Sequence, residues 1–127
     1  MPHPAQASSV EVKNSPFHGR GLFATVTMGA GDIIAVYPLL ILSQEDTATV
    51  RSTLLHHYVF YVDEDAAGDM RAAVAFGEIS MCNHSPKANA DFAVDAVAQT
   101  VTLSANQAIR PGDEVLIDYE DFAEEII

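Results

Sequence analysis

Tryptophan is absent from this chain, cysteine occurs once, and only 6 of the 127 residues are lysine or arginine. A lone thiol, Cys82, excludes an intrachain disulfide and fits a reducing, cytosolic setting. So few cations cannot form a phosphate-binding face, which depends on clustered lysine and arginine releasing counterions; direct nucleic-acid binding is not expected. No run approaches the roughly 20 continuous apolar residues of a membrane span. The opening MPHPAQASS lacks the basic and apolar regions of a secretory leader and reads as a flexible arm over residues 1–9. The expected location is the cytoplasm, or the nucleus in a eukaryote.

What the chain does carry is acid and apolar mass. Aspartate and glutamate number 18, the formal net charge is -12, and 49% of residues are hydrophobic. That apolar share supplies one core and argues against disorder. The acidity could attract a cationic, lysine-rich partner, but on composition alone the simpler reading is that it confers solubility.

Short β-prone runs separated by turns dominate the sequence. VEVKNS, IIAVY, LLILS, YVFYV, MRAAVAF, FAVD, TVTLS and EVLIDY read as strands, with IIAVY and LLILS broken at Pro38. FAVD and TVTLS suit a hairpin, although AVAQ between them has no glycine. MGAGD, DEDAAGD and RPGDE read as turns. Ser43 caps a helix with Glu45 and Asp46 in its first turn, and TATVRSTLLHH continues it. The class is mainly β, and no βαβ alternation suggests a parallel sheet.

Three clusters hold the chemistry. CNHSPKAN, residues 82–89, offers Cys82 and His84, which His56 and His57 could join. Neither C-x-x-C nor H-x₃₋₅-H spacing is present, so capping or surface histidines are the simpler reading and no metal is expected. A nucleophilic Cys82 would need a base and an orienting third group, and a small core residue fits better. GRGLFA, residues 19–24, is neither a dinucleotide nor a Walker loop; its glycines let backbone run close to something flat or bulky. GDEVLIDY, residues 112–119, ends a strand on an acid and Tyr119.

Their combination and order carry more than any one of them. Gly19-Arg20-Gly21, then Asn83-His84-Ser85 with Asn89, then Gly112-Asp113-Glu114 leading to Asp118-Tyr119, resembles the SET-domain lysine methyltransferases, and PLLILS followed by HYVFYV is similar to their small stand-alone bacterial and viral type. The likeness spans about residues 10–120, leaving 121–127 as a short tail. Pro86 and Ala88 depart from the family's Cys and Pro, Ser80 and Met81 from its Arg-Phe, and no Cys-rich post-SET segment follows.

The resemblance implies a SET β-fold of small curved sheets with a pseudoknot and one or two short helices. It implies methyl transfer from S-adenosylmethionine to the ε-amine of lysine in a basic protein segment. Tyr119 is the implied catalytic residue. Arg20, Gly21, Leu22, Phe23, Asn83 and His84 are the implied cofactor contacts, with Phe122 stacking on the adenine. Phe92, Ile117 and Tyr119 are the implied walls of the lysine channel. Completing that channel calls for a homodimer or for the chain's own tail. A catalytically silent SET-fold module holding a basic peptide or the cofactor is the alternative.

Overall fold

Apolar alternation with a period of two residues builds most of the chain into strands. A computed structural model describes residues 8–16, 19–64 and 70–119. Its strands are β1 (Val10–Ser15), β2 (Gly19–Ala24), β3 (Ile33–Ile41), β4 (Val59–Glu64), β5 (Met70–Ala75), β6 (Asn83–His84), β7 (Ala90–Asp95), β8 (Thr100–Ala105) and β9 (Glu114–Ile117). They form two sheets, a four-stranded one in the order β1-β2-β9-β6 and a five-stranded one in the order β4-β5-β3-β8-β7. Their inner faces meet in one core, where Leu22, Ile79, Val101, Leu103, Ile109, Val115 and Ile117 are fully buried. The mainly β class and the family of small curved sheets are both as the sequence indicated.

Pro38 does not break the third strand, which runs unbroken from Ile33 to Ile41. The reason lies in its partners: residues up to Pro38 pair with β8, while Leu39, Leu40 and Ile41 pair with β5. The missing proline N–H therefore falls where the strand changes neighbours, and its carbonyl still accepts from Phe76 N–H at 3.0 Å. The β7–β8 hairpin is also built without glycine. Asp95 Oδ1 accepts from the N–H groups of Val97 and Ala98, both at 3.0 Å, and Gln99 takes the left-handed conformation at φ 56°.

Ser43 caps the helix α1 (Gln44–Arg51), its hydroxyl accepting from Asp46 N–H at 3.1 Å. The helix is shorter than expected. Ser52 and Thr53 turn their hydroxyls back onto the carbonyls of Thr49 and Val50, both at 2.7 Å. His56 and His57 consequently lie on a separate 3₁₀ turn, Leu54–Tyr58. One pairing is parallel: β6 lies beside β9, joining Asn83 to Leu116 and His84 to Ile117. Two-residue pairings carry no periodic signal, and this one is what assembles the site.

Candidate functional site

The last strand sits between two motif segments. On one side β9 meets β2 through Leu22–Val115 and Phe23–Glu114; on the other it meets β6. Gly19, Arg20 and Gly21 therefore run on past the end of the β2–β9 ladder, opposite the Asn-His segment. Asn83 bridges this fork, one amide hydrogen on Arg20 carbonyl at 2.8 Å and the other on Glu114 Oε2 at 2.9 Å. A Cβ at Gly21 would collide with the Glu114 carboxylate, so a side chain there would force the Glu114–Asn83 pair to shift.

Residues 82–89 are fastened along β9. Asn89 uses both ends of its amide, donating to Glu114 carbonyl at 2.9 Å and accepting from Leu116 N–H at 2.8 Å. Ser85 N–H donates to Ile117 carbonyl at 3.0 Å, and the Cys82 thiol donates to Val115 carbonyl at 3.2 Å. Cys82 is thus a core residue with a structural hydrogen bond.

His84 and Tyr119 meet at the open end of this junction. Tyr119 N–H donates to His84 Nδ1 at 2.9 Å, which places any proton of the neutral ring on Nε2. Asp118 Oδ1 lies 3.6 Å from the same nitrogen, beyond hydrogen-bonding range. The two rings are tilted by 43° with centroids 5.4 Å apart. The Tyr119 hydroxyl turns inward and donates to Cys82 carbonyl. Burial, aided by Cys82 and Tyr58, pushes its pKa up to about 12, so the hydroxyl stays protonated at neutral pH.

Beside Tyr119 opens a cleft of about 150 Å³, lined among others by His56, His57, Tyr58, Phe60, Tyr61 and Phe92. The Phe60 and Phe92 rings sit 5.2 Å apart at 58°. No carboxylate is among the described residues that line the cleft. An acidic protein has here a largely aromatic wall.

The SET domain family model matches residues 19–120, most of the chain. The chain belongs to the SET-domain family. This SET domain is 31% identical over 114 residues to the H3 lysine-4 specific histone-lysine N-methyltransferase of Mycosarcoma maydis, covering 84% of the chain and 8% of that protein. It is 27% identical over 119 residues to the H3 lysine-37 specific enzyme of Schizosaccharomyces pombe, covering 93% of the chain and 78% of that protein. In structure it resembles a Plasmodium falciparum protein at TM-score 0.71 and 20% identity, covering 89% of this chain and 94% of that one. It also resembles the Neurospora SET domain protein DIM-5, a histone lysine methyltransferase, at TM-score 0.68 and 20% identity, covering 87% of this chain and 51% of that one.

Within the SET domain, Arg20, Gly21, Asn83, His84 and Tyr119 come together at the β2–β9–β6 fork. Phe92 and Tyr119 share the cleft. Leu22 and Ile117 are fully buried in the core, and Phe23 is 6% exposed with Lys13 Nζ 4.8 Å from its ring centre. Ile117 is not among the residues lining the cleft, where Phe60 and Tyr58 stand instead. Phe122 and the tail lie outside the described residues. The sequence reading missed the contribution of the 3₁₀ turn and β4; the aromatic run HYVFYV was its one visible trace.

Burying Cys82 beside Glu114 pushes its pKa from the ordinary 9.0 to about 12, and burial with neighbouring Glu78 lifts Tyr37 from 10.0 to about 12. Both groups hold their protons more tightly when folded, so stability is full below the unfolded values and declines as pH rises toward the folded ones. Between pH 8 and 9, below the ordinary value of 10.0 that Tyr37 and Tyr119 share, the Cys82 contribution dominates. Denaturant unfolding should show stability falling there with a slope that reaches about 0.7 kcal/mol per pH unit at pH 9. Cys82→Ser, which keeps a donor for Val115 carbonyl, should flatten that interval. An unchanged slope in the serine variant would assign the loss to another group.

Proposed function

We propose that this SET domain transfers a methyl group from S-adenosylmethionine to the ε-amine of a lysine in a basic protein segment. The observation that carries this reading is the double attachment of Tyr119. Its backbone is held by His84 of the motif fork, while its side chain borders the aromatic cleft with Phe92. One residue thereby joins the two halves a group transfer must align. The histone-lysine methyltransferase relatives support the same chemistry.

The fork suits the cofactor. Gly19 has open space where a side chain would stand, so a ligand can approach the backbone of the glycine segment there. Bound there, the cofactor would supply an already activated methyl on a sulfonium. The chain's own residues then have three tasks. First, the cleft admits the methylene stem of lysine; its volume matches that of cavities known to hold a benzene ring. Second, enclosure in the cleft strips water from the ammonium and disfavours it, lowering the lysine pKa so that a lone pair becomes available. Third, Tyr119 orients the amine. Its only hydrogen is committed to Cys82 carbonyl, so its oxygen lone pairs are left to accept an amine N–H. A tyrosine with so high a pKa is no general base at neutral pH; it positions.

Incubation with methyl-labelled S-adenosylmethionine and a panel of lysine-rich proteins should label at least one acceptor, and Lys→Arg at the modified position should abolish it. The rate should fall as salt rises, because a net charge of -12 steers a cationic substrate through fields screened beyond ~10 Å at 0.1 M salt. Cofactor binding without labelling of any acceptor would favour the silent-module reading.

A further inference from the structure

We propose that Glu114 is the positioning residue of the cofactor-facing edge, an inference that rests on the cofactor reading above. Its carboxylate is engaged at both oxygens by different parts of the chain. Oε1 accepts from Ser15 Oγ of β1 at 2.8 Å, and Oε2 accepts from Asn83 Nδ2 at 2.9 Å. It occupies the space that the missing Gly21 side chain leaves. Its backbone pairs with Phe23, one position inside Leu22–Val115, the last pair before β2 parts from β9, and its side chain reaches from there to Gly21 and Asn83.

Both hydrogens of the Asn83 amide are committed, one to Glu114 and one to Arg20 carbonyl. Glu114 therefore fixes the amide's rotation, and through it the Arg20 peptide, without itself lying on the exposed edge. Without that acceptor, the Asn83 amide can turn and Arg20 carbonyl loses its aimed donor. The glycine segment and the Asn-His segment are then free to shift relative to one another, and the hydrogen-bonding groups on either side no longer present one fixed spacing.

The test pairs Glu114→Ala with Glu114→Gln. Glutamine can accept from Asn83 through its carbonyl and donate to Ser15 Oγ through its amide, so it preserves the clamp without the charge. Titration calorimetry with S-adenosylmethionine and with its demethylated product should show at least tenfold weaker binding of both by the alanine variant. The glutamine variant should stay within threefold of the unaltered chain. Hydrogen exchange should be at least tenfold faster at the amides of Arg20, Gly21 and Asn83, and unchanged at Val101 and Leu103. A general loss of stability would move all of these sites together. If Glu114→Ala does not fold, Ser15→Ala releases one oxygen and should give a smaller effect of the same pattern. Unaltered cofactor affinity, unaltered local exchange, or a glutamine variant as impaired as alanine would each overturn the inference. An unaltered chain that binds no cofactor overturns the methyl-transfer reading alone, and the exchange pattern still decides the role of Glu114.

Discussion

Tyr119→Phe should lower kcat about 100-fold, comparable to removing one preorganised hydrogen-bonding group from an active site. KM and cofactor affinity should each stay within threefold. The asymmetry follows from what phenylalanine keeps. The backbone N–H on His84 and the ring packing beside it survive, so the fork and the cleft wall hold their shape. Only the hydroxyl oxygen, the proposed acceptor for the amine, is lost, together with its hydrogen bond to Cys82 carbonyl. An interaction formed fully only at the transition state appears in kcat more than in KM. The pH profile gives an independent check. Activity should rise with pH as lysine deprotonates and should not turn down until Tyr119 ionises, near about 12, or the fold fails. A phenylalanine variant with ordinary turnover would take the role away from Tyr119. Single-turnover kinetics would separate the chemical step from release.

Local patterning made most of the fold legible and little of the cleft. VEVKNS is β1 residue for residue, because its alternation and flanking turn are complete within six positions. The helix start was equally plain, since Ser43 and the acids after it act within one turn. The end of that helix was not. Whether LLHH continues an α-helix or tightens to 3₁₀ depends on Ser52 and Thr53 hydroxyls competing for nearby carbonyls, a balance composition does not reveal. Pro38 misled for a related reason: a proline breaks a ladder only where its N–H is needed, and that depends on where the neighbouring strands end. The three motifs meet at the fork because Asn83 bonds Arg20 and Glu114 while its neighbour His84 accepts from Tyr119. The cleft draws on the 3₁₀ turn, β4, β7 and the chain's last described residue, a set assembled only by long-range packing. That is why Phe92 could be placed through resemblance, whereas Phe60, packed on it, could not.

Fork and cleft are held in common by one mechanical feature, the attachment of residues 82–89 to β9. Tyr119 is oriented from both ends by that segment, through Cys82 carbonyl and His84 Nδ1. On the proposed reading, stability and catalysis are coupled here. A substitution that loosens the segment should disturb Tyr119 before it unfolds the five-stranded sheet, whose pairings are longer and independent of it.

Asn89→Ala is the substitution that loosens it most. The amide donates to Glu114 carbonyl and accepts from Leu116 N–H, so alanine strands one acceptor and one donor on a strand packed inside the molecule. Each buried group left unpaired costs about 1–3 kcal/mol, which puts the loss near 3 kcal/mol after partial hydration. For a domain of this size that is a fall in Tm of about 10 °C. Asn89→Asp should be nearly as harmful, because a carboxylate can accept from Leu116 N–H but has no hydrogen for Glu114 carbonyl. Asn106 provides the control. It grips the same loop from outside, donating to Ala88 carbonyl at 3.3 Å and to Asp91 Oδ1 at 3.0 Å in exposed positions. Water replaces such bonds, and Asn106→Ala should cost no more than about 1 kcal/mol. Denaturant melts of the variants should show shifted midpoints with an unchanged slope, the sign that stability and not the unfolded state has changed. Equal losses at Asn89 and Asn106 would mean that the paired bonds to β9 do not carry the segment.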